Sequence, residues 1–197
     1  MNQINHRSIA EAISIEDPTL SEIHAELGIS SFYPSQRGLP PYYQPPLENL
    51  VVVDIDFEGK LFVLIRDAAV AWKNLCEAAR RDGIVLQPFS GFRSYRYQAG
   101  LVRQKLDSGQ TLEEIFKVLA VPGYSEHHTG RAVDITTPGC KPLVEELEET
   151  DAFRWLTTHA GSFDFTLSFP RNNRFGFIYE PWHWCYQGDS SSNEKTS

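Results

Sequence analysis

Two short clusters of histidine and acidic residues could together carry out metal chemistry. His127 and Asp134 lie in the segment YSEHHTGRAVDI, and Glu180 and His183 lie in EPWHW. Asp134 falls within an apolar strand pattern, where an ionised carboxylate needs a metal, a basic residue or several hydrogen bonds. Together, His127, Asp134 and His183 offer two nitrogens and one oxygen, the ligand count of a catalytic zinc site with a fourth position for water. Glu180 would then be available as a general base.

Two neighbouring residues compete for ligand positions. His128 adjoins His127, and adjacent side chains of an extended segment cannot both face one ion, so spacing leaves the choice open. Cys185 would share a strand face with His183. It could be a thiolate ligand or, more commonly for a lone cysteine, a small buried apolar residue. The remaining histidines are expected on the surface or in ordinary packing: His6, His24 and His159.

A third segment, QPFSGFRSYRYQ, carries a candidate anion site. A strand is predicted to end at Ser90 and Gly91 and a helix to begin near Ser94, which places Arg93 at the junction. A guanidinium beside the free amides of a helix start suits a carboxylate. The alternative is a salt bridge to one of the 26 acidic residues of the chain, and this segment alone does not decide between the two.

The three segments together resemble the VanY-like D-alanyl-D-alanine carboxypeptidases of the LAS group of metallopeptidases. SGFRSYRYQ, SEHHTGRAVDI and EPWHW occur in the order typical of that family, and the resemblance covers about residues 60 to 187. It implies a LAS/hedgehog-like fold with Glu180 as the catalytic base. It also implies Zn²⁺ bound by three residues: His127, Asp134 and His183.

The resemblance further implies a substrate. Arg93, Gln98 and Ser125 would surround the terminal carboxylate or the scissile carbonyl of a peptidoglycan stem peptide, with Arg93 counted among the catalytic residues. The family includes D,D-carboxypeptidases, D,D-dipeptidases and L,D-carboxypeptidases. The resemblance selects His127 over His128 as the ligand. His128 stands where the family commonly has glutamine. Whether this histidine contacts a metal ligand or the substrate is left open by the resemblance.

Composition and charge limit the classes of binding partner and the cellular compartment to be expected. A net charge of -8 gives no reason to expect binding to nucleic acid or to an anionic membrane. The first residues show no export signal, and the three cysteines form no CxxC pair, so a reducing, cytoplasmic location is predicted. In that compartment a D,D-carboxypeptidase would damage wall precursors. We therefore expect a zinc-dependent L,D-carboxypeptidase that removes the terminal D-alanine from murein tetrapeptides during peptidoglycan recycling.

A function of another class would be an inactive peptidoglycan-binding module that keeps the fold. The intact Glu180 argues against this alternative, because binding alone does not need a base.

The elements that must position these residues predict an α+β domain with a central antiparallel sheet flanked by helices. We expect a helix and a proline-rich arm over residues 1–50, the peptidase domain over 51–187 and a flexible tail over 188–197. Helices are predicted over residues 17–28, 66–81, 95–106, 111–121 and 151–159. Strands are predicted over 51–57, 84–89, 132–136, 165–169, 175–179 and 182–186, while 61–65 could be a strand or lead into a helix.

Overall fold

Helices and short strands alternate along the chain in the computed structural model, which describes residues 19–30 and 37–188. The helices are α1 (Leu20–Leu27), α2 (Arg66–Arg81), α3 (Tyr95–Asp107), α4 (Leu112–Ile115) and α5 (Asp151–His159). The strands are β1 (Leu50–Ile55), β2 (Leu61–Ile65), β3 (Gln87–Ser90), β4 (Ala132–Thr136), β5 (Phe165–Leu167) and β6 (His183–Tyr186). Short 3₁₀ helices cover Leu47–Asn49, Glu126–Thr129, Glu145–Glu149 and Ala160–Phe163.

The central sheet is antiparallel and has the strand order β3-β4-β6-β5. Its register places Asp134 of β4 between Ser90 of β3 and His183 of β6. β1 and β2 form a separate antiparallel hairpin, in which Leu50 is paired with Ile65. The predicted α+β class with an antiparallel sheet is therefore confirmed, and the sheet itself brings two of the candidate ligands side by side.

The two largest apolar clusters among the described residues hold most of these elements together. The larger one packs α2 and α5 against the sheet, through side chains that include Trp72, Leu75, Leu156 and Phe165. The second joins α1 to α3 and α4, with Ile23 of α1 packed among residues such as Val102 and Phe116. None of the helices in the described part of the chain is long and apolar enough to span a membrane.

Several predicted elements are confirmed where local signals are strong. α2, β4 and α5 have the predicted bounds, and residues 61–65 form a strand rather than leading into a helix. Ser94 caps α3, because its hydroxyl accepts a hydrogen bond from the backbone N–H of Tyr97. The predicted helix start at 17–18, the arm residues 32–36 and the tail beyond residue 188 lie outside the described residues.

The helix predicted over residues 111–121 is wrong beyond its first turn. Thr111 and Glu114 form the predicted capping box, but α4 ends at Ile115. The next carbonyl groups have partners elsewhere in the chain, since Phe116 O accepts from the Arg37 guanidinium and Lys117 O accepts from Ile178 N. These long-range hydrogen bonds take the acceptors that a longer helix would use.

The strand predicted over residues 175–179 is also wrong. This segment forms turns and irregular backbone, and the side chain of Asn173 provides several of its hydrogen bonds. The Asn173 amide donates to Phe177 O, and its oxygen accepts from the backbone of Phe175 and Phe177. The alternating aromatic pattern instead serves packing, because Phe175 and Phe177 lie in a cluster with Leu39 and Phe169.

Candidate active site

The three predicted ligands meet at one end of the central sheet. Asp134 and His183 are paired across β4 and β6, and His127 lies in the short helix Glu126–Thr129 directly before β4. The potential donor atoms of these residues all lie within 4.8 Å of one another, and all three side chains are buried. Two imidazole nitrogens and a carboxylate oxygen fit Zn²⁺, which in catalytic sites takes three protein ligands.

The orientation of His127 depends on a backbone carbonyl. Its Nδ1 donates to Gly91 O at 2.6 Å, which leaves Nε2 facing Asp134 Oδ2 at 3.2 Å. Burial, reinforced by the nearby charge of Arg93, lowers the pKa of His127 to about 4, so the ring is neutral as a metal ligand must be. The carbonyl reaches His127 because Gly91 passes close to β2: a Cβ on Gly91 would lie 2.5 Å from Val63 O.

The orientation of His183 depends on a carboxylate that the sequence reasoning missed. His183 Nε2 donates to Glu126 Oε2 at 2.9 Å, and its Nδ1 lies 3.1 Å from Asp134 Oδ1. Burial would lower the pKa of His183, but the hydrogen bonds to Asp134 and Glu126 raise it to about 10, so a metal ion that binds this ring must displace a proton from it. Histidine ligands usually donate their second ring nitrogen to a carboxylate or carbonyl, so an acid next to a ligand was a usable signal for Glu126.

Arg93 contacts two of the three candidate ligands. Its Nε donates to Ser90 Oγ at 2.9 Å, and one terminal nitrogen donates to Asp134 and lies 3.0 Å from His127 Nε2. The salt-bridge alternative for Arg93 is therefore what the structure contains. Burial would raise the pKa of Asp134, but His127 and Arg93 hold it well below its usual range, so the carboxylate is ionised.

Glu180 stands beside the ligands, at the entrance to β6. Its Oε2 lies 3.8 Å from His183 Nδ1, and its side chain is 10% exposed. The backbone fixes this position, since Glu180 N donates to Phe169 O and Glu180 O accepts from His183 N. Burial raises the pKa of Glu180 to about 7, a value suited to accepting and returning a proton near neutral pH.

The two competitors for ligand positions have other contacts. His128 Nδ1 donates to Arg93 O at 2.7 Å, and its Nε2 accepts from Gly123 N at 3.0 Å, so it ties the Arg93 loop to the turn before the ligands. Cys185 is buried and lies outside the group of three ligands found among the described residues. Burial raises the pKa of its thiol well above the ordinary value, which fits the small apolar residue of the second alternative.

A cavity of about 990 Å³ opens onto these groups. Ser125 lines it together with Arg93, Glu180 and the three ligands, and the cavity extends to the turn between β1 and β2 and to one face of α3. Gln98 does not line it: this residue is completely buried, and its Nε2 donates to Ala120 O at 2.7 Å. Gln98 Oε1 has no hydrogen-bond partner among the described residues. The substrate contact expected of Gln98 stays a prediction.

Known carboxypeptidases are similar to this chain in sequence and in fold. The chain is 32% identical over 166 residues to a D-alanyl-D-alanine carboxypeptidase of Enterococcus faecalis; the match covers 78% of this chain but only 56% of that relative. The solved structure of the LD-carboxypeptidase LdcB is similar at a TM-score of 0.65 and 31% identity, over 76% of this chain and 72% of LdcB.

A further solved structure connects this fold with a metal. The vancomycin resistance D,D-pentapeptidase VanY, determined in complex with Zn(II), matches at a TM-score of 0.53 and 26% identity, over 79% of this chain and 82% of that protein. The family model for VanY, D-alanyl-D-alanine carboxypeptidase, matches residues 62–189, which include the three candidate ligands, Glu180 and Arg93. This chain therefore belongs to the VanY family.

Proposed function

We propose that the protein is a zinc-dependent carboxypeptidase that removes the terminal D-alanine from peptidoglycan stem peptides. One observation carries this proposal: the buried His127, Asp134 and His183 share a single cavity with Glu180 and Arg93. Membership of the VanY family and the Zn(II) complex of a VanY neighbour support it. A carboxypeptidase needs a base and a cation for the terminal carboxylate next to its metal, and this cavity holds both.

The residues divide the reaction among them. When bound by His127, Asp134 and His183, zinc would supply Lewis acidity toward the scissile carbonyl. Glu180 would accept a proton from the attacking water and deliver it to the leaving amine, so that the amide and water become a carboxylic acid and an amine. A guanidinium carries five N–H donors, so Arg93 has donors beyond those that bind Ser90 and Asp134 with which to hold the terminal carboxylate.

Within this reaction class we propose L,D cleavage of murein tetrapeptides, in a cytoplasmic recycling role. The likeness to LdcB, an LD-carboxypeptidase, supports this specificity, since its TM-score and identity exceed those of the D,D-pentapeptidase VanY. D,D-carboxypeptidase activity is the second candidate, favoured by the name of the Enterococcus faecalis relative. The recycling role depends on the predicted cytoplasmic location, which cell fractionation with an antibody would test.

The decisive experiment compares two matched substrates. Zinc-loaded protein and its Glu180→Gln variant are incubated with muropeptides that end in one D-alanine or in D-alanyl-D-alanine, and products are followed by mass spectrometry. We expect the wild type to release one alanine from the tetrapeptide and to leave the pentapeptide intact. The variant should bind zinc but release nothing.

The other outcomes are equally informative. Cleavage of the pentapeptide alone would make the protein a D,D-carboxypeptidase and would refute the L,D assignment. Binding of both muropeptides without cleavage would favour the inactive binding module. Retained turnover in Glu180→Gln would refute the role of Glu180 as base.

A further inference from the structure

A proline-rich segment that precedes β1 contacts several residues around the candidate metal site. This segment, residues 37–46, is called the strap; it contains no helix or strand, and the VanY family model begins only at residue 62. The sequence predicted only a proline-rich arm over this part of the chain. The structure adds specific hydrogen bonds from the strap to residues that orient the candidate ligands.

The centre of the strap is connected to His183 through Glu126. The hydroxyl of Tyr42 donates to Glu126 Oε1 at 3.3 Å, while Glu126 Oε2 accepts from His183 Nε2 at 2.9 Å. The backbone of Tyr42 is held as well: its N–H donates to Gly123 O at 2.8 Å, and its carbonyl accepts from the hydroxyl of Tyr95 at 2.8 Å. Tyr42 is thus fixed by main-chain bonds while its side chain holds the second oxygen of the carboxylate.

The first half of the strap supports His183 from another side. The Arg37 guanidinium lies over the ring of Phe177, 4.5 Å from its centroid, and Leu39 is buried in a cluster with Phe169 and Phe177. The ring of Phe169 lies 4.8 Å from the imidazole of His183, measured between centroids. The strap therefore reaches His183 through a hydrogen-bond path and through an aromatic one.

We propose that the strap is a positioning element of the metal site and that Tyr42 is its key residue, acting on His183 through Glu126. Glu126 also has a side-chain hydrogen bond with Ser168, and the Tyr42 hydroxyl adds a donor to Oε1, the oxygen that His183 does not contact. Donors on both oxygens restrict rotation of the carboxylate about its last bond. A fixed Glu126 keeps the Nε2–H of His183 directed toward it and keeps Nδ1 directed toward the site. This inference rests on the proposed function, because it assumes that His183 is a zinc ligand.

The test separates the hydroxyl of Tyr42 from the rest of the strap. Tyr42→Phe removes only the hydroxyl, and the neighbouring Tyr43→Phe is a matched control because Tyr43 is 75% exposed. Zinc affinity is measured by competition with a chelator, and circular dichroism follows the melting of the metal-free protein. We expect zinc affinity to fall about fivefold in Tyr42→Phe, the equivalent of one hydrogen bond, and to stay unchanged in Tyr43→Phe.

A double variant tests whether the effect passes through Glu126. In a Glu126→Ala background, Tyr42→Phe should cause no further loss of zinc affinity, because the path is already broken. Unchanged affinity in the single Tyr42→Phe variant, or the same fivefold loss in both backgrounds, would overturn the proposal. Equal losses in Tyr42→Phe and Tyr43→Phe would also overturn it. A wild type that binds no zinc would instead refute the proposed function itself, and with it the role of the strap.

Discussion

Replacing Gly91 with alanine should damage both the fold and the metal site. A Cβ at this position would lie 2.5 Å from Val63 O and 2.8 Å from the Phe62 ring, whereas ordinary van der Waals contact begins at 3.4 Å. The strand end must therefore move by roughly 0.9 Å, the difference between 3.4 Å and 2.5 Å. Overpacking of this kind costs about 1–3 kcal/mol of the free energy of unfolding.

The movement also affects His127. Gly91 O accepts the hydrogen bond from His127 Nδ1 that directs Nε2 toward Asp134, so displacing this carbonyl should turn the imidazole. Loss of the hydrogen bond that orients a histidine ligand weakens metal affinity by about 10- to 100-fold. Zinc affinity is thus expected to fall even in the fraction of protein that remains folded at room temperature.

The assay is thermal unfolding followed by circular dichroism, with zinc affinity measured separately by chelator competition. For a domain of this size we expect the melting temperature of Gly91→Ala to fall by roughly 2–12 °C. Gly100→Ala is the matched control, because Gly100 lies within α3 and a Cβ there meets nothing within 4 Å. That substitution should stabilise the protein by about 0.5–1 kcal/mol. An unchanged melting temperature and zinc affinity in Gly91→Ala would refute the reasoning.

Three further predictions concern the surroundings of the ligands. Glu126→Ala should weaken zinc binding by about 10- to 100-fold, because His183 Nε2 loses its acceptor; chelator competition measures this, and wild-type affinity would contradict it. His128→Ala should destabilise the fold by about 2–4 kcal/mol, because Arg93 O and Gly123 N lose their partners; an unchanged urea midpoint would argue against it. Removing the metal with a chelator should stop release of D-alanine, and adding zinc should restore it; activity that survives chelation would speak against a catalytic metal.

Local sequence signals were sufficient to predict the elements whose structure is specified by a few consecutive residues. The apolar spacing of α2 and the capping box at Thr111 are properties of a few consecutive residues, and both are found as predicted. Where distant groups compete for the backbone, these signals fail. The guanidinium of Arg37 and the N–H of Ile178 take the carbonyls after α4, and no local pattern could reveal them.

The candidate site was likewise predictable in part from the sequence and in part only from the fold. Asp134, His183 and Glu180 could be identified in the sequence by type and spacing, because metal and acid-base chemistry require particular side chains whatever the fold. Spacing left the choice between His127 and His128 open, and the family resemblance made it. The register of β4 and β6 then decides that Asp134 and His183 stand side by side.

The tertiary structure revealed which groups hold these side chains and the neighbouring backbone in place. Glu126, His128, Gly91 and Tyr42 act through hydrogen bonds or close approaches to residues that are distant in sequence or on other elements. A sequence specifies its ligands by their chemistry, but orientation depends on which carbonyls, carboxylates and hydroxyls the fold brings within about 3 Å. The residue types therefore predicted the kind of chemistry, whereas tertiary packing determined the orientation of the side chains that would carry it out.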